Sequence, residues 1–159
     1  MFKVGDLAVY PAHGVGKIES LESKSICGKQ QDFYVLRILE NEMKIMIPVP
    51  NASSVGLRGL IGSDDVHKVY DILQSREVSV NGGTWNRRYR EYMEKIKTGS
   101  IYELAEVLRD LTVIKGDKEL SFGERKMLDT ARTLLLKELS IVRSMAEDVI
   151  EKEIDDILR

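Results

Sequence analysis

A single cysteine, Cys27, in 159 residues rules out an internal disulfide and makes a reducing compartment the expected setting. Two histidines, His13 and His67, stand far apart and with one thiol do not furnish a zinc ligand set. Neither is cast for chemistry: His13 sits beside turn glycines, and His67 falls on a helix surface. No Gly-rich loop ends in Lys-Ser or Lys-Thr, and Gly14-Val15-Gly16 falls between extended runs, not between a strand and a helix. The phosphate-cradling motifs are therefore absent. Cys27 precedes Gly28 with no histidine near it in sequence, a poor setting for a nucleophile. The acid pairs Asp64-Asp65 and Asp155-Asp156 read as a helix start and a solvated face. No enzyme, no metal and no cofactor is expected. No apolar run approaches the roughly 18 residues that span a bilayer. The start, Met1 to Asp6, has no apolar signal region, and the expected location is the cytoplasm.

An excess of either charge is also lacking, with 24 basic against 26 acidic side chains and a net charge of −2. A composition of 43% hydrophobic and 31% charged residues is that of a globular chain with core enough for one medium domain or two small ones. The near-neutral total hides a partition. Residues 1–75 carry 8 basic and 9 acidic side chains, residues 76–137 carry 13 and 10, and residues 138–159 carry 3 and 7. From Arg87 to Lys97 there are 5 basic against 2 acidic. Salt screens charge beyond about 8–10 Å, so this local sign governs an encounter with phosphate. The overall acidity argues against a protein that coats DNA indiscriminately.

The first 50 residues alternate in short extended runs. Val4–Tyr10 stops at Pro11, His13 to Gly16 reads as a turn, and Lys17–Ile26 stops at Cys27-Gly28. Phe33–Leu39 is rich in β-branched and aromatic residues. Met43, Ile45, Ile47 and Val49 alternate with Lys44, Met46 and Pro48, the period of a half-buried strand. Short strands with short connections predict a small curled sheet or SH3-like barrel over residues 1–62. Val55–Gly62 reads as a short strand and turn. A helix opens at Ser63-Asp64-Asp65 and runs from Val66 to about Leu73, followed by a polar linker from Gln74 to Gly83, which together make a 63–83 helix-and-linker segment.

From 84 to 159 the period becomes helical. Tyr89, Tyr92, Met93 and Ile96 fall on one helix face. Ser100-Ile101-Tyr102-Glu103, Ser121-Phe122-Gly123-Glu124 and Ser144-Met145-Ala146-Glu147 have the capping-box pattern ahead of apolar stripes. Four helices are expected there, and the fold class is α+β.

At the junction lies Asn81-Gly82-Gly83-Thr84-Trp85-Asn86-Arg87-Arg88-Tyr89-Arg90, which holds the only tryptophan. A lone tryptophan in a small helical domain is commonly a core residue. This one precedes the first apolar stripe and adjoins Gly-Gly and three arginines, which suits a ring that stacks on a base or wedges into a base step. Arg87 and Arg90 share a side, while Arg88 could pair with Glu91 or Glu94, and a solvated basic face remains the plain alternative. Arg125 and Lys126 open another helix against its dipole, which is mildly unfavourable without an anion.

Several of these stretches resemble, in the same order, the CarD/CdnL family of bacterial transcription regulators. They are Phe2-Lys3-Val4-Gly5-Asp6, Val9 to Gly16, Val55-Gly56-Leu57-Arg58, Trp85 to Arg90, Ala105 to Leu111, and Leu120 to Leu128. The resemblance implies an N-terminal Tudor-like domain that binds the β subunit of RNA polymerase, as in the transcription-repair coupling factor. It implies a helical domain that touches promoter DNA at the upstream edge of the bubble. Trp85 would enter the minor groove and prop the bubble open without sequence specificity. Basic contacts would fall on Arg87, Arg90 and Arg125, with Arg88 and Lys126 beside them. On the polymerase side the contacts fall on Lys24 and on Met46-Ile47-Pro48. Met46 replaces an arginine of some members, a departure that bears on the strength of docking. A monomer working at the nucleoid through polymerase, with no membrane partner, is the expectation. The alternative is an adaptor whose helical domain binds another protein through Trp85.

Overall fold

The computed structural model describes residues 2–75, 85–117 and 119–158, with the side chains of Trp85 and Asp117 outside that description. The expected linker therefore lies, past Ser75, outside the described residues. The chain divides into two units, Met1–Leu60 and Ile61–Arg159.

The first unit is a curled four-stranded antiparallel sheet, half of a barrel, with β1 (Leu7–Tyr10), β2 (Gly14–Ile26), β3 (Lys29–Ile38) and β4 (Lys44–Pro48) in sequential order. Cys27 and Gly28 form the two-residue turn between β2 and β3, with φ of 52° and 78°. Paired positive φ values suit the right-handed twist of the strands, and glycine takes one at no steric cost. A register shift between Ile18 and Ser20 bends β2, and a bulge of this kind helps to curl a sheet. Gly16 lets the strands close, because a Cβ there would lie 2.8 Å from Leu36 Cγ. Ala8, Ile18, Tyr34, Leu36, Ile38 and Ile47 bury together on one face with Ala52 and Leu57. The expected strand at residues 55–62 reduces to one bridge, in which Val9 and Arg58 exchange backbone hydrogen bonds of 2.7 and 3.2 Å. The glycines around Arg58 stop that pairing from extending. His13 has a turn role: its ring stacks on Tyr10 at 5.2 Å.

The second unit holds five helices, α1 (Val66–Gln74), α2 (Trp85–Lys97), α3 (Ile101–Asp117), α4 (Phe122–Arg143) and α5 (Glu147–Leu158). One core runs through them all, from Val69 and Leu73 through Tyr92, Leu108, Leu111, Leu135 and Leu139 to Ile150 and Ile154. α1 thus packs with the four later helices, its Val66, Val69 and Leu73 buried against α3 and α5. Of the three capping boxes, the one at Ser121 forms. Its Oγ accepts from the Glu124 N–H at 3.2 Å, and Glu124 Oε1 accepts from the Ser121 N–H at 3.3 Å. Ser144 instead ends α4 as a left-handed C-cap, φ 52°. At the third site Glu103 accepts from the Thr98 hydroxyl.

Candidate nucleic-acid interface

Trp85 is the first residue of α2. Helical spacing then separates the arginines. Arg87 is exposed and bonded to Glu91 at 3.2 Å, one turn on; an exposed i,i+4 pair of this kind contributes only a few tenths of a kcal/mol, about 0.3–0.5. Arg90 is exposed, and no acidic partner among the described residues holds it.

Arg88 takes a different place from the expected DNA contact. It lies four and eight residues before Tyr92 and Ile96, which are fully buried, so the helix turns it inward along their line. Its side chain is 14% exposed and ion-paired at 3.1 Å with Glu124, itself 4% exposed. The partner is neither Glu91 nor Glu94 but the capping carboxylate of α4. Burial pushes the Glu124 carboxyl up, but the hydrogen bonds from Ser121 and from Arg88 outweigh it and hold the group below the usual carboxylate range. The Arg88 Nε has no acceptor among the described residues.

The pair sets the first turns of α2 and α4 side by side. On α4 that turn carries Phe122, 75% exposed, then exposed Arg125 and Lys126 with no acidic partner among the described residues. Phe122 is missing from the sequence expectation. Its signal was available: it follows the N-cap directly and falls outside the stripe that begins at Met127.

Deeper contacts fix α2. Tyr92 donates to Asp110 at 3.3 Å, and Arg109 donates twice to the same carboxylate at 3.0 and 3.1 Å. Burial first, then the nearby Asp110 carboxylate, pushes the Tyr92 phenol far above its ordinary range, so it remains a donor. Lys95 pairs with Glu106 of α3. Midway along α4, Arg132 binds Glu151 and Asp155 at 2.9 and 2.6 Å, and at its C-terminal end Arg143 binds Glu153 and, at 2.7 Å, the Tyr70 hydroxyl. The acidic last helix thus takes up Arg132 and Arg143, both away from the two N-termini.

On the sheet, register places Lys24, Met46 and Pro48 on one face with Phe33 and Val35. Lys24 Nζ lies 3.7 Å from Met46 Sδ, and Met46 is 38% exposed. Ile47, expected in the same contact, has the opposite orientation. It is 2% exposed and belongs to the core of the sheet, because the strand period of two sends neighbours to opposite faces.

No group of three or more His, Cys, Asp or Glu among the described residues could hold a metal ion. No described helix is long and apolar enough to cross a membrane. The open groove of about 470 Å³ between α3, α4 and α5 is lined by Leu128, Leu158, Lys115 and the Arg132 ion pairs, without a nucleophile and base in catalytic array.

Residues 2–61 match the family model of the CarD-like/TRCF RID domain, and residues 68–155 match that of the CarD C-terminal domain. "Putative transcription factor YdeB" of Bacillus subtilis (strain 168) is 38% identical over 151 residues, which cover 95% of this chain and 98% of that one. Among solved structures, CdnLNt from Myxococcus xanthus is 56% identical over a match that covers 38% of this chain and 86% of that chain, with a TM-score of 0.34.

Proposed function

The chain belongs to the CarD-like family of transcription regulators, and from that premise we propose that it docks on the RNA polymerase β subunit through its sheet and holds promoter DNA open with Trp85. In this reading the face of Lys24, Met46 and Pro48 is the polymerase contact, and Met46 presents a thioether beside the Lys24 ammonium where charge alone would otherwise act. Tethering raises the effective concentration of a weak DNA-binding domain, so a net charge of −2 is no obstacle. The place of action is the nucleoid, reached through polymerase.

The observation that carries the reading is the pair of adjoining helix starts, where Arg125 and Lys126 at the start of α4 and Arg90 in the second turn of α2 stand without acidic partners among the described residues. Cations at a helix N-terminus oppose its dipole, whereas a phosphate there satisfies both the cation and the free N–H groups. Arg87, Arg90, Arg125 and Lys126 would hold backbone phosphates without reading sequence. Trp85 would stack at the unwound junction at the upstream edge of the bubble, and Phe122, exposed on the first turn of α4, would be a second apolar contact. A stacking contribution of about 1–3 kcal/mol shifts the closed-to-open equilibrium roughly 5- to 150-fold.

The test is promoter opening by bacterial RNA polymerase, read by a fluorophore within the bubble. Wild type should raise or prolong the open signal, and Trp85→Ala should bind polymerase equally while losing the effect. An inactive wild type would leave the adaptor reading, in which Trp85 and Phe122, a large exposed apolar side chain, form a hot spot for another protein. Binding would then hardly respond to salt.

A further inference from the structure

We propose that the Arg88–Glu124 ion pair is a clamp that makes the first turns of α2 and α4 one DNA-facing surface, so that Arg88 is a positioning residue and not a phosphate ligand. The inference rests on the reading above that these two turns meet DNA.

One carboxylate serves both helices. Glu124 Oε1 accepts the Ser121 N–H, which sets how α4 begins, while Oε2 accepts from the Arg88 guanidinium, which sets how α2 approaches. Residues that would meet DNA flank the pair on each side: Trp85, Arg87 and Arg90 on α2, and Phe122, Arg125 and Lys126 on α4. A cation buried to 14% exposure against a carboxylate at 4% is removed from any phosphate and already neutralised. Buried ion pairs of this kind add little net stability over an apolar pair of the same shape, and their best-supported use is to specify one arrangement among several. Here that arrangement is the relative placement of two helix starts, α2 with Arg87 and α4 with Phe122, Arg125 and Lys126. Tyr92 and Lys95 reach α3 and fix the later turns of α2, while Arg88 ties its start to α4.

Glu124→Gln separates the clamp from simple electrostatics because the two predict opposite signs. Glutamine keeps the capping box, which accepts Glu or Gln at this position, and removes only the charge. If Glu124 acted as an acid near phosphate, neutralising it would strengthen the effect on promoter opening. The clamp predicts loss: opening by polymerase with the full-length variant falls by roughly 3- to 10-fold, the scale of coupling within one network, with polymerase binding unchanged. The salt slope of the effect falls by about one for each phosphate contact that no longer forms. Arg88→Met should lose as much as Glu124→Gln, and the double variant little more than either. An undiminished or increased effect in Glu124→Gln, with loss only in Arg88→Met, would overturn the clamp and make Arg88 a direct contact.

Native-state hydrogen exchange on the protein alone tests the structural half without polymerase. Glu124→Gln should speed exchange in α2 around Tyr89 to Met93 while α3 keeps its protection. Unchanged exchange there overturns the clamp even if wild type proves inactive in promoter opening, which by itself would count against the function reading alone.

Discussion

At the scale of single residues, Glu124 makes a prediction about pH. Its folded-state carboxyl is held below the ordinary value of 4.5, so the folded state favours the ionised form. Stability from a depressed carboxylate is fully present above the unfolded value and disappears as pH falls through the folded value. Wild type and Glu124→Gln should therefore differ most in urea midpoint at neutral pH. The difference should shrink below about pH 4.5 and vanish in stronger acid; a constant gap would mean that charge is not what the pair contributes. The same residues show what a sequence hides. The basic run at 87–90 was plain, but its inward member was not, because Glu124 lies 36 positions away and no local pattern joins them. A clue was present in spacing, since Arg88 stands one turn ahead of Tyr92 on the buried line. Ile47 departs from its expected contact for a related reason: adjacency to Met46 in sequence means opposition across a sheet.

At the scale of elements, α4 depends on how it starts. Ser121→Ala removes the acceptor for the Glu124 N–H, and loss of an N-cap hydroxyl costs about 1 kcal/mol. Ser121→Ala should lower the urea midpoint accordingly and also weaken promoter opening, because the freed carboxylate no longer holds Arg88 in place; Ser121→Thr should restore both. A stability loss without an opening loss would separate cap from clamp. Helices were legible to within a residue or two, since α2 and α4 combine a strong period with a clear stop or start. The box at Ser144 was not, because the pattern Ser-x-x-Glu describes a C-cap followed by a new first turn equally well. Only the left-handed backbone at Ser144 distinguishes them. The strand expected near Arg58 was lost to its glycines, which leave one bridge where the apolar pattern suggested several.

At the scale of the whole molecule, two units carry separate cores, one built on Leu36 and Ile18, the other on Leu108 and Leu135. Each core residue named is essentially fully buried, and truncating such a leucine to alanine costs about 2–5 kcal/mol. The loss should stay within the unit that suffers it. Leu108→Ala should lower the thermal transition followed by Trp85 fluorescence, the only tryptophan in the chain, and spare polymerase binding. Leu36→Ala should leave that fluorescence transition in place and abolish docking. Both variants should fail in promoter opening, for opposite reasons: one keeps its tether and loses the DNA surface, the other keeps the surface and loses the tether. Raising the concentration of Leu36→Ala should then recover part of the effect, since the missing quantity is effective concentration, whereas no concentration of Leu108→Ala should do so. Equal recovery by both variants would mean that tethering is not how the sheet contributes, and the division of labour between the units would have to be redrawn.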